Sequence, residues 1–294
     1  MAKLRTRKHK VVLARSRTGD AGITVILFIL GLFMFLPMYY CVIQAFKPLD
    51  ELWMFPPRFY VLKPTVKHFK DLFTLMSDSM VPFSRYIFNT VFTSVAGTVG
   101  HLFIASIAAY AMAKIKFPGG RIMFTTVRTS LMFHQTVTAI CSFILMSTFK
   151  MVDTYWAIIV PAWGSTLGFY LMKQFMESHV HDSVLESARL DGASELKTFW
   201  IIAMPMVKPA WLTLIIYSFQ GLWATGSSPY IYSEQLKTIN YAIGQILTGD
   251  AAMAVLRTGA GAASTVIMLI VPIIVFIISE SNIIETMGSS GMKD

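Results

Sequence analysis

The chain has 294 residues, of which 55% are hydrophobic and only 14% charged. An ordinary soluble domain carries roughly 25% charged residues, so there is too little charge to cover a globular surface. With a mean hydropathy of +0.59, the composition excludes a soluble enzyme or nucleic-acid-binding domain and leaves a polytopic membrane protein, with room for about five to seven helical spans.

The excess of positive charge, +9, is concentrated at the start, where Lys3, Arg5, Arg7, Lys8, Lys10, Arg15 and Arg17 precede the first apolar run. A tail of this kind (residues 1–20) marks the cytoplasmic side of a membrane rather than a nucleic-acid partner. The uncharged run from Ala21 to Phe46 is too long for the core of a cleaved signal peptide and reads as an uncleaved anchor. Cys41 and Cys141 lie in apolar stretches without metal-ligand spacing, which excludes a disulfide scaffold.

Six charge-poor windows are long enough to cross the hydrocarbon layer. They run from Gly22 to Phe46, with Pro37 as a kink, Ile87 to Ala113, Thr129 to Phe149, Thr154 to Phe175, Met206 to Trp223, and Gly259 to Ser279. The fold expected is therefore an all-α membrane protein of six transmembrane helices over residues 21–279. Lys114, Lys116 and Arg121 follow the second window, and Arg189 and Lys197 follow the fourth, whereas only Lys150 follows the third. Cations resist translocation, so these loops and both termini, including the tail 280–294, are expected inside. Arg128 and Lys173, near window ends, are expected to snorkel to that surface. Six cations also lie between Lys47 and Arg85, but Pro48, Pro56, Pro57 and Pro64 make that stretch a folded external loop.

Gly97, Ala105, Ala109 and Ala113 form a small-residue stripe on the second span. It serves either packing within the chain or contact with a partner membrane subunit. The windows contain no Asp or Glu, and His101 and His134 are the only ionisable groups near midspan. Ion-coupled carriers place titratable ligands at that depth, so the energy source is expected outside the spans. The chain has no GxxxxGK[ST] phosphate loop, HExxH zinc site or GxSxG elbow, so no catalysis is expected of it.

The connection from Asp182 to Pro205 carries the most information. Ser183 followed by Glu186 has capping-box spacing for a short helix, with Val184, Leu185 and Ala188 on one face. Gly192 provides a left-handed turn, a second helix starts near Ser194, and Pro205 marks the turn into the fifth span.

This stretch resembles the cytoplasmic EAA loop of membrane subunits in binding-protein-dependent ABC importers. Glu186, Ala188, Gly192, Ile202 and Pro205 match its pattern, with Ser187 and Met204 replacing an Ala and a Leu. Ala45-Phe-Lys-Pro48, Pro56-Pro57-Arg-Phe59 and Glu186-Ser-Ala-Arg-Leu-Asp-Gly-Ala193 resemble the second permease of the maltose-type, type I branch. The chain departs from that branch at Met132-Phe133-His134 and Trp223-Ala224, where the family has Met-Phe-Pro and Trp-Asn.

The resemblance implies a sugar-translocating permease, most simply for a di- or oligosaccharide. Its partners would be a second permease, two ATP-binding subunits that hold ATP and Mg, and an extracytoplasmic sugar-binding protein; the chain itself would bind no cofactor and no metal. Glu186, Ser187, Ala188, Arg189, Asp191, Gly192 and Pro205 would couple to an ATPase. Sugars present apolar faces and hydroxyl rims, so Gln135, Trp163, Tyr170, Tyr217, Gln220 and Trp223 are expected along the pathway. The segment from Ala224 to Arg257 would reach the binding protein or pack as a re-entrant loop. The alternative reading is a non-transport scaffold or receptor subunit that uses the inside loop to hold a soluble partner.

Overall fold

The structure is a computed structural model that describes residues 17–77, 81–133, 135–226, 228–248 and 254–290. The basic tail up to Arg15 and His134 lie outside the described residues. All regular structure among the described residues is helical. Three helices are long and apolar enough to cross a membrane: Gly19–Phe46, Phe83–Lys114 and Arg257–Glu280. They belong to α1 (Arg17–Phe46), α4 (Phe83–Lys114) and α14 (Ala254–Ser290), and they correspond to the first, second and sixth sequence windows.

The other three windows are not single straight helices. The third falls on the end of α5 (Gly120–Ser130) and on α6 (Gln135–Thr148). The fourth is divided into α7 (Trp156–Trp163) and α8 (Thr166–His179) at Gly164, with Ser165 extended. Four short elements precede the fifth: α9 (Asp182–Leu190), α10 (Glu195–Thr198), a π turn (Phe199–Ala203) and α11 (Met204–Met206). The chain then bends by 82° into α12 (Lys208–Trp223). Pro205 has no N–H to continue the α ladder, and the wider π turn lies directly before it. The bend itself falls at Val207, two residues beyond the expected Pro205.

The hub is α4, against which α7, α8 and α12 pack, while α14 lies against α1, α12 and α3 (Lys67–Ser77). The small-residue stripe explains why. A Cβ on Gly97 would lie 2.5 Å from Leu222 Cδ1, and Ala105 and Ala109 are buried. These positions serve packing within the chain. Lys173 is buried within the chain, its ammonium 2.6 Å from Glu177 Oε1 and 3.7 Å from the Phe124 ring centre. A carboxylate one turn away and an aromatic face take the place of water.

At the Phe83 end of the bundle, the long connection after α1 is folded, as expected. The Glu51 carboxylate, in the short helix α2 (Leu49–Leu52), accepts bonds from the Leu62 and Lys63 amides, both at 3.1 Å. The segment after α12 is tied down as well. Asn89 donates to the Gln235 and Lys237 carbonyls and accepts from the Tyr155 hydroxyl, each at 2.8 Å. Ile239 and Ile243 of α13 (Ile239–Thr248) are buried with Leu72, Tyr86, Ala260 and Ala263.

Asp153, in the connection between α6 and α7, clasps that connection to the segment after α12. Its carboxylate accepts from the Tyr232 and Ser233 amides at 2.9 and 2.8 Å and from the Ser233 hydroxyl. These donors, the hydroxyl foremost, hold the carboxyl below the usual carboxylate range. Asp153 has φ +59°, which Asn tolerates, so Asp153→Asn removes the charge with little backbone cost. We expect a loss of about 1 kcal/mol or less, because the group is only partly buried and solvent screens it, read as a small drop in the melting temperature of the detergent-solubilised protein. The lowered folded pKa fixes the pH dependence. The contribution is complete above the unfolded value near 4 and is lost as pH falls below it towards the folded value.

Candidate functional site

Two regions bring polar or exposed side chains together away from the packed core. The first is the loop of α9 and α10, which the surrounding helices hold as a rigid unit. Leu185 is buried in a cluster with Tyr110 of α4, Met172 and Met176 of α8, and Phe199, and Ala188 on the same face is buried too. Polar contacts fix its two ends. Lys114 lies 2.9 Å from Asp182, holding that carboxyl below its usual range. The Tyr110 hydroxyl donates to Glu195 Oε2 at 3.1 Å, and Arg189 Nε lies 2.7 Å from Glu195 Oε1.

The turn between the helices is set by backbone geometry. Gly192 has φ +79°. Its N–H bonds the Arg189 carbonyl and the Ala193 N–H bonds the Ala188 carbonyl, both at 3.0 Å. These are the two bonds of a Schellman ending, which requires a left-handed residue at the Gly192 position. The second helix starts next to Ser194 as expected, and the Ser194 hydroxyl caps it by accepting from the Lys197 amide at 3.4 Å.

The capping box does not form. The extended N-cap of α9 is His181, and the helix begins at Asp182. Ser183 therefore lies inside the first turn, too late to cap, and its carbonyl accepts from the Ser187 hydroxyl at 2.9 Å. Val184 is also exposed rather than packed with Leu185. Glu186, free of a capping role, is exposed on the outer face with Ser187, Arg189, Asp191 and Gly192, while Ala188 points inward and Pro205 is exposed before the bend. Leu190 and Leu196 are 89% and 68% exposed on either side of the turn. The polar reading of this loop missed those two; their signal is an apolar residue opposite the buried Leu185–Ala188 face.

The second region is a cavity of about 550 Å³ beside the break between α7 and α8, lined by His101, Ser165, Tyr217, Ser218 and Gln220. Three of its polar groups come from α12 and one from α4. His101 Nδ1 lies 3.1 Å from Ser218 Oγ, and Gly168 lets α8 close on the imidazole, since a Cβ there would lie 2.4 Å from Nε2. Tyr217 and Gln220, both expected on a pathway, thus meet in one cavity. Ser165 and Ser218 were not anticipated, because the helix break that exposes Ser165 falls at an ordinary Gly-Ser pair.

The other expected pathway residues lie elsewhere. The Trp163 indole rests on Gly100 and donates to the Ala96 carbonyl at 3.2 Å. Tyr170 stacks on Phe124 with ring centres 6.0 Å apart. Trp223 is buried and donates to the Met268 carbonyl at 3.1 Å, joining α12 to α14. The Gln135 side chain lies outside the described residues. No group of three or more His, Cys, Asp or Glu residues able to hold a metal occurs among the described residues.

Residues 102–284 match the family described as binding-protein-dependent transport system inner membrane component. The chain belongs to this family. That match includes the α9–α10 loop and most of the helices that back it. Among curated relatives, LplC of Bacillus subtilis is 29% identical over 198 residues, covering 66% of this chain and 63% of LplC. The arabinooligosaccharides transport system permease protein AraQ of the same organism is 26% identical over 229 residues, covering 77% and 80%. The sn-glycerol-3-phosphate transport system permease protein UgpE of Yersinia enterocolitica is 28% identical over 148 residues, so the chain spans 52% of that relative and less than two thirds of LplC. The fold is shared with a solved bacterial ABC transporter involved in the import of the acidic polysaccharide alginate, with a TM-score of 0.74 and 20% identity over 91% of this chain and 98% of that one. An inner membrane component of this kind is a multi-pass membrane protein.

Proposed function

We propose that this chain is a permease subunit of an ATP-driven importer for a sugar, most simply a di- or oligosaccharide. It would cross the membrane six times, with the breaks in the fourth and fifth spans counted within single crossings. Residues 1–20 and 280–294 would be cytoplasmic tails flanking one transmembrane domain, 21–279. The α9–α10 loop within residues 182–205 would dock on an ATP-binding subunit. The chain would bind no cofactor itself, ATP and Mg being held by two such subunits, and a second permease and an extracytoplasmic sugar-binding protein would complete the assembly.

The observation that carries this reading is the construction of the loop. A helix pair clamped to α4 by Lys114–Asp182 on α9 and Tyr110–Glu195 on α10 moves as a body with the bundle. Its free face presents Glu186, Leu190 and Leu196 around a tight turn, an arrangement suited to a socket on a soluble partner. Closure of that partner would be passed through α4 and the 82° bend to α12, the two helices that supply His101, Tyr217, Ser218 and Gln220 to the cavity. A cavity of that size lies within the range of small-molecule sites, and its hydroxyl, amide and imidazole groups match a sugar rim. The naming of AraQ for arabinooligosaccharides supports the substrate class.

The reading is tested by purification and reconstitution. The tagged chain should bring down a second permease and an ATP-binding protein. In proteoliposomes, ATP hydrolysis should rise when the binding protein is loaded with its sugar. Purified ATPase should bind inside-out vesicles and not right-side-out ones. A scaffold or receptor subunit would show retention of a soluble partner without sugar-stimulated hydrolysis, and that result would overturn the transport assignment.

A further inference from the structure

The bend that joins the loop to α12 borders a second, open pocket, separate from the polar cavity. Its volume is about 450 Å³, and it is lined by Leu102, Trp200, Met204, Pro205, Lys208 and Trp211. The walls are apolar and Lys208 supplies the only charged side chain among them. Lys208 is half-buried and has no ion pair among the described residues. The Trp211 indole is held by the Met204 carbonyl at 3.2 Å. Trp200 is 47% exposed and packs edge-on to Phe199 with ring centres 4.8 Å apart. Around the pocket the surface is apolar, with Phe103 and Ile201 50% and 61% exposed.

A single cation in an apolar pocket requires an anion that carries its own apolar body. A free inorganic anion would leave the walls unfilled, and an apolar ligand would leave the ammonium without a counter-charge at a cost. Two Trp rings and one Lys at the point where a chain enters a membrane also form the usual setting of the headgroup layer. We infer that this pocket binds the headgroup phosphate of an anionic phospholipid on Lys208, with the glycerol and first acyl carbons against Trp200, Leu102 and Met204. Because α11 and α12 both line it, a bound lipid would brace the bend through which the loop moves α12. The inference rests on the reading of the bent pair as the fifth crossing, but not on which side of the membrane it faces.

The test uses the protein reconstituted, with the subunits that co-purify with it, into vesicles containing brominated lipid in both leaflets. Quenching by dibromo-phosphatidylglycerol is compared with quenching by dibromo-phosphatidylcholine. The Trp200 and Trp211 contribution is isolated from the six tryptophans by difference against Trp200→Phe/Trp211→Phe. We expect the anionic lipid to quench that component at an about fivefold lower mole fraction, the preference one lysine near the surface confers. Lys208→Gln should abolish the preference and Lys208→Arg should keep it. Equal quenching by the two lipids, a preference that survives in Lys208→Gln, or no quenching because a protein partner covers the pocket would each overturn the inference. So would loss of the preference on adding millimolar inorganic phosphate at constant ionic strength. Symmetric vesicles make these outcomes independent of sidedness, so an error in orientation would appear only in the vesicle-binding experiment of the proposed function.

Discussion

Replacing Gly192 with Trp is expected to abolish sugar uptake while leaving the chain inserted and folded. The position has φ +79° with nothing within 4 Å of the Cβ that a side chain would add, so the fold has room for a large residue. The backbone strain of a non-glycine there is about 1–2 kcal/mol, which does not by itself unfold a well-packed bundle. An indole at the apex would instead occupy the space a docked partner needs. Losing even about 3 kcal/mol of that contact lowers occupancy by roughly a hundredfold. Two further variants separate strain from bulk. Gly192→Asn fits the left-handed turn with little strain and should retain most uptake, whereas Gly192→Ala carries the strain without the bulk and should fall between. Uptake of labelled sugar, normalised to the amount of inserted protein, checks the series. A well-inserted Trp variant with normal uptake would exclude this turn as the docking point.

The series depends on features that were unequally legible in the sequence. Hydropathy windows find α1, α4 and α14 because those helices are continuous and charge-poor from end to end. The same windows pass over the Gly164–Ser165 break and the bend at Val207, because an average over composition does not register one residue leaving the helical region. The Gly192 turn was legible because a Schellman ending needs glycine-like backbone geometry at one position. The capping box was misread because Ser-x-x-Glu spacing is necessary but not sufficient. The backbone must also turn extended at the Ser, and here it does so two residues earlier, at His181. The pathway divided for a related reason. Trp163 and Trp223 are as suited to sugar as Tyr217 by residue type, but their indole N–H groups are taken by the Ala96 and Met268 carbonyls across helix contacts. Sequence alone carries no record of such pairings.

That correction at the start of α9 sharpens the expectation for Glu186. With the N-cap at His181, Glu186 lies in the middle of a nine-residue helix on its exposed face, where its carboxylate contributes nothing to capping. Arg189 one turn away is already paired with Glu195 at 2.7 Å, so an intrahelical ion pair does not account for Glu186 either. A carboxylate so placed is available to basic groups on the docking partner. Truncating one member of such a pair costs about 2–5 kcal/mol once it is buried, much of it from the unpaired charge left behind. Glu186→Ala should therefore leave expression and melting temperature nearly unchanged while weakening retention of the ATP-binding subunit by roughly thirtyfold or more. Binding of sugar to the extracytoplasmic protein should not change. Glu186→Gln, which keeps the shape and removes the charge, should behave like the Ala variant if the contact is ionic. Full retention and full stimulation of the ATPase in both variants would show that Glu186 is a solvated surface residue and that Leu190, Leu196 and the turn carry the contact without it.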